Sequence, residues 1–358
     1  MRIQGIDHIE FYVGDLEKSS AWLCDAFGFR VAGRSAPGSG TAATRSVLLR
    51  QGQIQLVLTT TAAPDDDVAQ FVARHGDGVA VIAFGVDNVT SAFAEITAVG
   101  AVPISGPRSA QAGTQCVTTA VVSGFGDVVH RLVERTGTGA EFAPGTVQMA
   151  PGAGLADQDR PLLDLLDHVA VCVPAGELDS TVSYYRDVFG LAQIYDERIE
   201  VGTQAMASKV VQDHAGRVTF TLIEPDLTRD PGQIDEFLSA HGGAGVQHLA
   251  FRTEDIAAAV TALSGRGVQF LVAPAGYYQA LETRLGQLAI QIDVLRGLNV
   301  LADRDRWGQM FQIFCRSTHE RHTFFIELIE RKGALTFGSS NIRALYEALD
   351  DTRAGLTH

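Results

Sequence analysis

The chain has 358 residues, 46% apolar and 20% charged, which is length and hydrophobicity enough for about two domains with sizeable cores. A net charge of −14 excludes the basic stripe that nucleic-acid binding requires, and no run approaches the ~20 apolar residues that span a bilayer. The opening stretch lacks the apolar run of a signal peptide, and Cys24, Cys116, Cys172 and Cys315 form no Cys-x-x-Cys pair, so a cytoplasmic protein with reduced cysteines is expected.

Residues 6–33 read as a strand (Ile6 to Val13), an amphipathic helix stopped by Gly28, and a second strand. Short strands around Ser46–Leu49 and Ile54–Leu58 complete a β-α-β-β-β unit. Residues 166–195 repeat the opening and place His8 on His168. A second correspondence sets Phe71 to Phe84 against Phe237 to Phe251, with one extra glycine in the later copy, so Val81 stands where His248 stands. A third sets Val129 to Arg135 against Phe325 to Arg331, which puts Arg131 in the place of Glu327. The class is therefore α+β: two homologous domains, each of paired β-α-β-β-β modules. Residues 1–135 form the first, 161–358 the second, and the Gly-, Ala- and Pro-rich 136–160 reads as a linker.

The two halves differ where chemistry could reside. The first carries His8, Val81 and Arg131, which cannot hold a metal; the second carries His168, His248 and Glu327 at the same places. Taken alone, His248 sits in the apolar run Gly245 to Phe251, where alternation puts it on one face with Val246 and Ala250, and a lone histidine there is usually a core residue. Duplication, however, gives no reason for an acid to appear where the sister copy has a base, and an unpaired Glu327 between Phe325 and Ile329 would be costly to bury. Two imidazoles and a carboxylate on strands make the facial triad of non-haem Fe(II) oxygenases and also suit catalytic zinc, so both metals stay open here. His319 and His322 form a rival pair in a polar turn, read as solvated, and His214 reads as a hairpin-turn residue. No phosphate-binding loop and no Gly-x-Ser-x-Gly is present.

The motifs Gly245-Val246-Gln247-His248-Leu249-Ala250, Arg266 to Phe270 with Pro274 and Tyr277-Tyr278, Leu301-Ala302-Asp303-Arg304-Asp305, Gln312-Ile313-Phe314, Phe324 to Arg331, and Thr336 to Asn341 are together similar to those of the 4-hydroxyphenylpyruvate dioxygenases. The resemblance covers nearly all of the chain. It implies the vicinal-oxygen-chelate (glyoxalase-like) fold, in which the paired modules curl into an open barrel, with Fe(II) held by His168, His248 and Glu327 in the second domain and a degenerate site in the first. It also implies 4-hydroxyphenylpyruvate and O2 as substrates, a homo-oligomer such as a dimer, and no nucleic-acid or membrane partner. Ser208, Thr221, Ile223, His248, Gln312, Phe337, Asn341 and Ile342 are the substrate-lining residues it implies, Phe337 and the helix over residues 341–349 acting as a lid.

Both branches of that family use the same keto acid, and they differ in which carbon of it is hydroxylated after oxidative decarboxylation. Ring attack with side-chain migration gives homogentisate; benzylic attack gives 4-hydroxymandelate. The homogentisate branch has Pro-x-Asn-Glu where this chain has Thr221-Leu222-Ile223-Glu224, and Gly-Asn-Phe where it has Ser340-Asn341-Ile342. These departures resemble the mandelate branch, whose product leads to 4-hydroxyphenylglycine in peptide antibiotics. The alternatives are a homogentisate-forming enzyme, a non-catalytic small-ligand binder of the same fold, and a zinc hydrolase.

Overall fold

The computed structural model describes residues 1–35, 43–112, 114–137, 142, 147–149, 161–274, 276–279, 281–338 and 341–344. The first half runs β1 (Ile3–Tyr12), α1 (Leu16–Phe27), β2 (Arg30–Ser35), β3 (Thr44–Gln51), β4 (Ile54–Thr61), α2 (Asp67–His75), β5 (Gly78–Val86), α3 (Val89–Ala98), β6 (Pro103–Ala112), β7 (Gln115–Ser123) and β8 (Val129–Thr136). A short β9 (Val147–Met149) follows. The second half runs β10 (Leu165–Cys172), α4 (Leu178–Phe189), β11 (Ala192–Val201), β12 (Gln204–Gln212), β13 (Thr219–Pro225), α5 (Gln233–His241), β14 (Gly245–Arg252) and α6 (Ile256–Gly265). It continues with the short α7 (Leu281–Leu285) and α8 (Ile292–Leu298), then β15 (Leu301–Arg304), β16 (Gln309–Phe314) and β17 (Phe325–Lys332). Most of 136–160 lies outside the described residues, but β9 within it pairs with β2 and extends the first sheet.

The sheets are ordered β6-β7-β8-β5-β1-β4-β3-β2-β9 and β11-β12-β13-β10-β14-β17-β16-β15. In each, the two modules meet through their first strands, β1 against β5 and β10 against β14, both antiparallel. Alternation then divides the side chains. Val169, Val171, Leu249, Phe251, Ile326 and Leu328 join Phe11, Leu56 and Leu58 of the first half in one buried core shared by the two sheets. Each such side chain contributes about 1.5–3 kcal/mol of burial. His168, Ala170, His248, Ala250 and Glu327 occupy the other face of the second sheet.

One expectation fails here. Between Ala170↔His248 and Val171↔Val246 the ladder advances one residue on β10 and two on β14, so Gln247 is an inserted residue. Val246 consequently joins the shared core instead of standing beside His248. Gly245, where this strand begins, has no alternative residue: a Cβ there would lie 2.3 Å from the His241 ring. That ring stacks on His75 at 4.4 Å, its counterpart at the end of α2, so the repeat partners meet across the seam of the two halves.

The third repeat has a structural explanation. Glu134 and Glu330, on the last strands of their modules, accept the first N–H of those modules' own helices, from Val89 and Ile256, each at 2.8 Å. The neighbouring Arg135 and Arg331 clamp Asp7 and Asp167, each through two hydrogen bonds. Among the described residues, no helix is long and apolar enough to cross a membrane.

Candidate metal centre

Strand register brings the three residues together. His168 pairs with Ala250, Ala250 with Glu327, and His248 lies one pair along, opposite Ala170. Glu327 Oε2 is 3.5 Å from His168 Nε2 and 3.3 Å from His248 Nε2, and one ligand atom from each residue falls within 4.8 Å of the others. Ligands that share an ion at about 2.1 Å stand about 3.0–3.4 Å apart, so the two Glu327–histidine distances are close to those of a single shared metal. All three are buried.

Each histidine is oriented by the residue before it, which regular alternation would send to the opposite face. A bulge makes this possible both times. Asp167 is the inserted residue between Leu166↔Phe251 and His168↔Ala250, and its Oδ1 accepts the His168 Nδ1–H at 2.9 Å. Gln247 is the other inserted residue, and its Oε1 accepts from His248 Nδ1 at 3.3 Å. With both Nδ1 atoms donating, Nε2 is the atom that each ring turns toward Glu327 and would offer to a metal. Asp167 is itself fixed by Arg331, at 2.8 Å from each of two guanidinium nitrogens.

The electrostatics describe a site that holds a proton until a cation replaces it. Burial alone would raise Glu327, but the two imidazoles outweigh burial and hold its carboxyl down to about 2. Burial likewise disfavours charge on His168, yet Glu327 and Asp167 raise it to about 9. His248 goes the other way, lowered chiefly by burial. One imidazolium therefore faces one carboxylate. In the first half the same frame survives without the ligands: Asp7 binds His8 Nδ1 at 2.7 Å, while Arg131 Nη1 lies 2.7 Å from Glu10 and 3.4 Å from His8 Nε2. A guanidinium occupies the position of the cation.

The remaining expected residues are distributed around this face. Thr221 pairs with Ala170, next to His248, and its buried Oγ1 has no hydrogen-bond partner. Ser208, also buried, pairs with Ile223 on the neighbouring strands. Ile223 lies in an apolar cluster with Cys172 and Met206, and Ile342 packs against that cluster. Phe337 stands edge-on to His168 at 5.3 Å, with Arg331 5.1 Å from its ring centre. Phe325 stacks on His248 at 4.8 Å. Of the expected lid helix, residues 341–344 are helical and the rest lies outside the described residues.

Gln312 is more deeply engaged than expected. Its Nε2 donates to Glu327 Oε1 at 2.8 Å and its Oε1 accepts from Asn341 Nδ2 at 2.8 Å. Gly338 permits this approach, since a Cβ there would meet Gln312 Oε1 at 2.5 Å. Asp305 secures the segment leading to Phe337 by accepting the N–H groups of Leu335 and Thr336 at 2.7 and 2.9 Å. Asp167, Gln247, Arg331 and Tyr277 were not picked out as site residues from the sequence, although Asp-His and Glu-Arg recur in both halves. His319 donates from Nδ1 to the Asp77 carbonyl, His214 is an exposed turn residue, and the triad is the one metal-suited group among the described residues.

Two curled sheets of paired modules, with two histidines and a carboxylate on the inner face of one, define an enzyme of the glyoxalase–dioxygenase class. The family model for the Glyoxalase/Bleomycin resistance protein/Dioxygenase superfamily matches residues 5–119 and 165–313. The 4-hydroxyphenylpyruvate dioxygenase of Coccidioides posadasii (strain C735) is 31% identical over 98% of this chain and 93% of its own, and that of Dictyostelium discoideum 30% identical over 99% and 100%. A solved structure of a mutant 4-hydroxymandelate synthase from Streptomyces coelicolor is 45% identical, covers 99% of this chain and 100% of its own, and superposes with a TM-score of 0.90. The chain belongs to the 4-hydroxyphenylpyruvate dioxygenase family of that superfamily, and it is a dioxygenase.

Proposed function

We propose that the chain is an Fe(II) enzyme that converts 4-hydroxyphenylpyruvate and O2 to 4-hydroxymandelate and CO2. The keto acid loses its carboxylate as CO2, one oxygen atom enters the new carboxylate, and the other enters the benzylic C–H bond. His168, His248 and Glu327 would hold the iron, which supplies keto-acid chelation and O2 activation when bound.

The protein's own groups serve the reaction around that ion. Asp167 and Gln247 keep both imidazoles in the ligating tautomer. A divalent ion that displaces the His168 proton leaves the site, counted with Glu327, Asp167 and Arg331, one positive charge in excess, which suits a monoanionic acid. Thr221, with its buried free hydroxyl on the ligand face, is assigned to a polar group of the substrate. Phe337 shields His168 from water.

The observation that carries the product assignment is that the two departures from the homogentisate pattern come together in space. Ile223 and Ile342 share one apolar cluster beside Cys172, where the other branch supplies an amide and an aromatic ring. A pocket re-shaped by even ~1 Å redirects attack between ring and benzylic carbon. The names of the curated relatives favour the competing reading, homogentisate formation. Incubation with Fe(II), substrate and O2 decides between them by product analysis.

The same reading makes residues 1–135 a supporting domain and 161–358 the catalytic one, in a cytoplasmic homo-oligomer whose mass light scattering tests. It also places the reaction at the entry to 4-hydroxyphenylglycine for peptide antibiotics, which the neighbouring genes test.

A further inference from the structure

Glu327 is the end of a series of hydrogen-bonded polar groups that runs from the candidate metal centre through Gln312 and Asn341 to Tyr277. Gln312 donates to Glu327, and Asn341 donates to Gln312, as described above. Tyr277 Oη then lies 2.8 Å from Asn341 Oδ1, and it accepts from Ala302 N at 2.9 Å and from Arg284 Nη2 at 3.3 Å. Glu327, Gln312 and Asn341 are 1%, 2% and 0% exposed, so no water competes for these bonds.

The direction of the chain is fixed by its ends. An ionised carboxylate only accepts, so Gln312 must present its N–H to Glu327 and its oxygen to Asn341. Asn341 must then present its N–H to Gln312 and its oxygen to Tyr277. The phenol is the one group in the series that can donate to that oxygen, 2.8 Å away, and the Ala302 carbonyl, 2.9 Å from the same hydroxyl, is the second acceptor in reach of its proton. Four of the motifs that carry the family resemblance (Tyr277-Tyr278, Leu301 to Asp305, Gln312 to Phe314, and Thr336 to Asn341) each supply a member.

We infer that Tyr277 is a positioning residue that couples the metal-ligating carboxylate Glu327 to the seating of the helical turn at residues 341–344 through Asn341 and Gln312. The inference rests on the metal reading of His168, His248 and Glu327. When an ion fixes Glu327, each amide in turn is held in one orientation, and Asn341, in the helix's first turn, is drawn onto the site. Coupling of this kind is reciprocal, so seating the helix also strengthens the hold on the ion.

Tyr278 is the internal control. It neighbours Tyr277 at 5.0 Å, and its hydroxyl also reaches a backbone carbonyl, that of Val300 at 3.1 Å, but it has no place in the chain. The test uses the full-length, metal-free chain titrated with Co(II) under anaerobic conditions. Tyr277→Phe is expected to weaken Co(II) binding about 10-fold, the low end of outer-shell effects. Tyr278→Phe should stay within about twofold of the wild type, this being the margin of the titration.

Hydrogen exchange supplies a readout independent of affinity. Saturating Co(II) should slow exchange at the Asn341 and Ile342 amides, which donate to the Gly338 carbonyl at 2.8 and 2.9 Å, in the wild type and in Tyr278→Phe but not in Tyr277→Phe. The double variant Tyr277→Phe/Asn341→Ala should bind Co(II) no more weakly than Asn341→Ala alone. Unchanged affinity and protection in Tyr277→Phe, or additive losses in the double variant, would overturn the coupling while leaving the metal site intact. A wild type that takes up no Co(II) would overturn the metal reading itself and the coupling with it.

Discussion

Asp167→Asn is the perturbation whose consequences the duplicated fold makes easiest to isolate. The substitution keeps an oxygen for the His168 Nδ1–H but removes the charge that faces Arg331, a side chain only 15% exposed. Breaking such a pair from one side costs about 3–5 kcal/mol. Loss of the carboxylate behind a ligating imidazole weakens metal binding by about 10–100-fold, or about 1.4–2.7 kcal/mol. Asp7→Asn removes the same arrangement in the first half, where Asp7 lies 2.7 Å from His8 Nδ1 and 2.8 Å from Arg135 Nη2. The two variants should therefore lose similar stability in urea melts of the metal-free chain, and only Asp167→Asn should lose affinity in an anaerobic Fe(II) or Co(II) titration. Equal loss of affinity in both would mean that the effect is global, and the argument for ligand orientation would fall.

Three further outcomes follow from the site and the seam. His168 carries a proton in the metal-free site up to pH of about 9, so metal uptake should release one proton and apparent affinity should climb about tenfold per pH unit up to that point; buffer-dependent calorimetric heats check this, and pH-independent binding would contradict it. His130 and His241 are held down by burial to about 3 and about 4, so below their unfolded value of 6.5 the unfolded state binds more protons and stability falls with pH. At about 1.4 kcal/mol per unit for each group, several kcal/mol should disappear between pH 6.5 and 4, and urea midpoints that stay flat over that range would refute the burial argument. Thr221→Ala should raise KM for the keto acid about 2- to 10-fold, the value of one hydrogen bond, with Co(II) affinity unchanged; an unchanged KM would remove Thr221 from the substrate site.

The fold was legible because period-2 and period-3.6 patterns recur at matching intervals, and the divergence of His248 from Val81 and of Glu327 from Arg131 within that repeat isolated the ligands. What stayed hidden depends on pairing between distant strands. No local pattern announces that β14 slips at Gln247 and β10 at Asp167, yet those slips turn both side chains toward the histidines they orient and send Val246 into the core. Gln312, Asn341 and Tyr277 are separated by 29 and 64 residues along the chain, and only the folded sheet shows that they form one series. The signal for Asp167 and Arg331 was present in the repeated Asp-His and Glu-Arg pairs; its meaning required the ladder.

Which carbon is hydroxylated is decided most directly by a single-turnover incubation under 18O2. The metal-free chain is loaded with Fe(II), mixed with 4-hydroxyphenylpyruvate, and the quenched acids are separated by liquid chromatography and mass spectrometry. The expected product is 4-hydroxymandelate carrying label in both its benzylic hydroxyl and its carboxylate, with one CO2 released per turnover. Homogentisate as the main product, or consumption of the keto acid without O2, would contradict the proposed reaction.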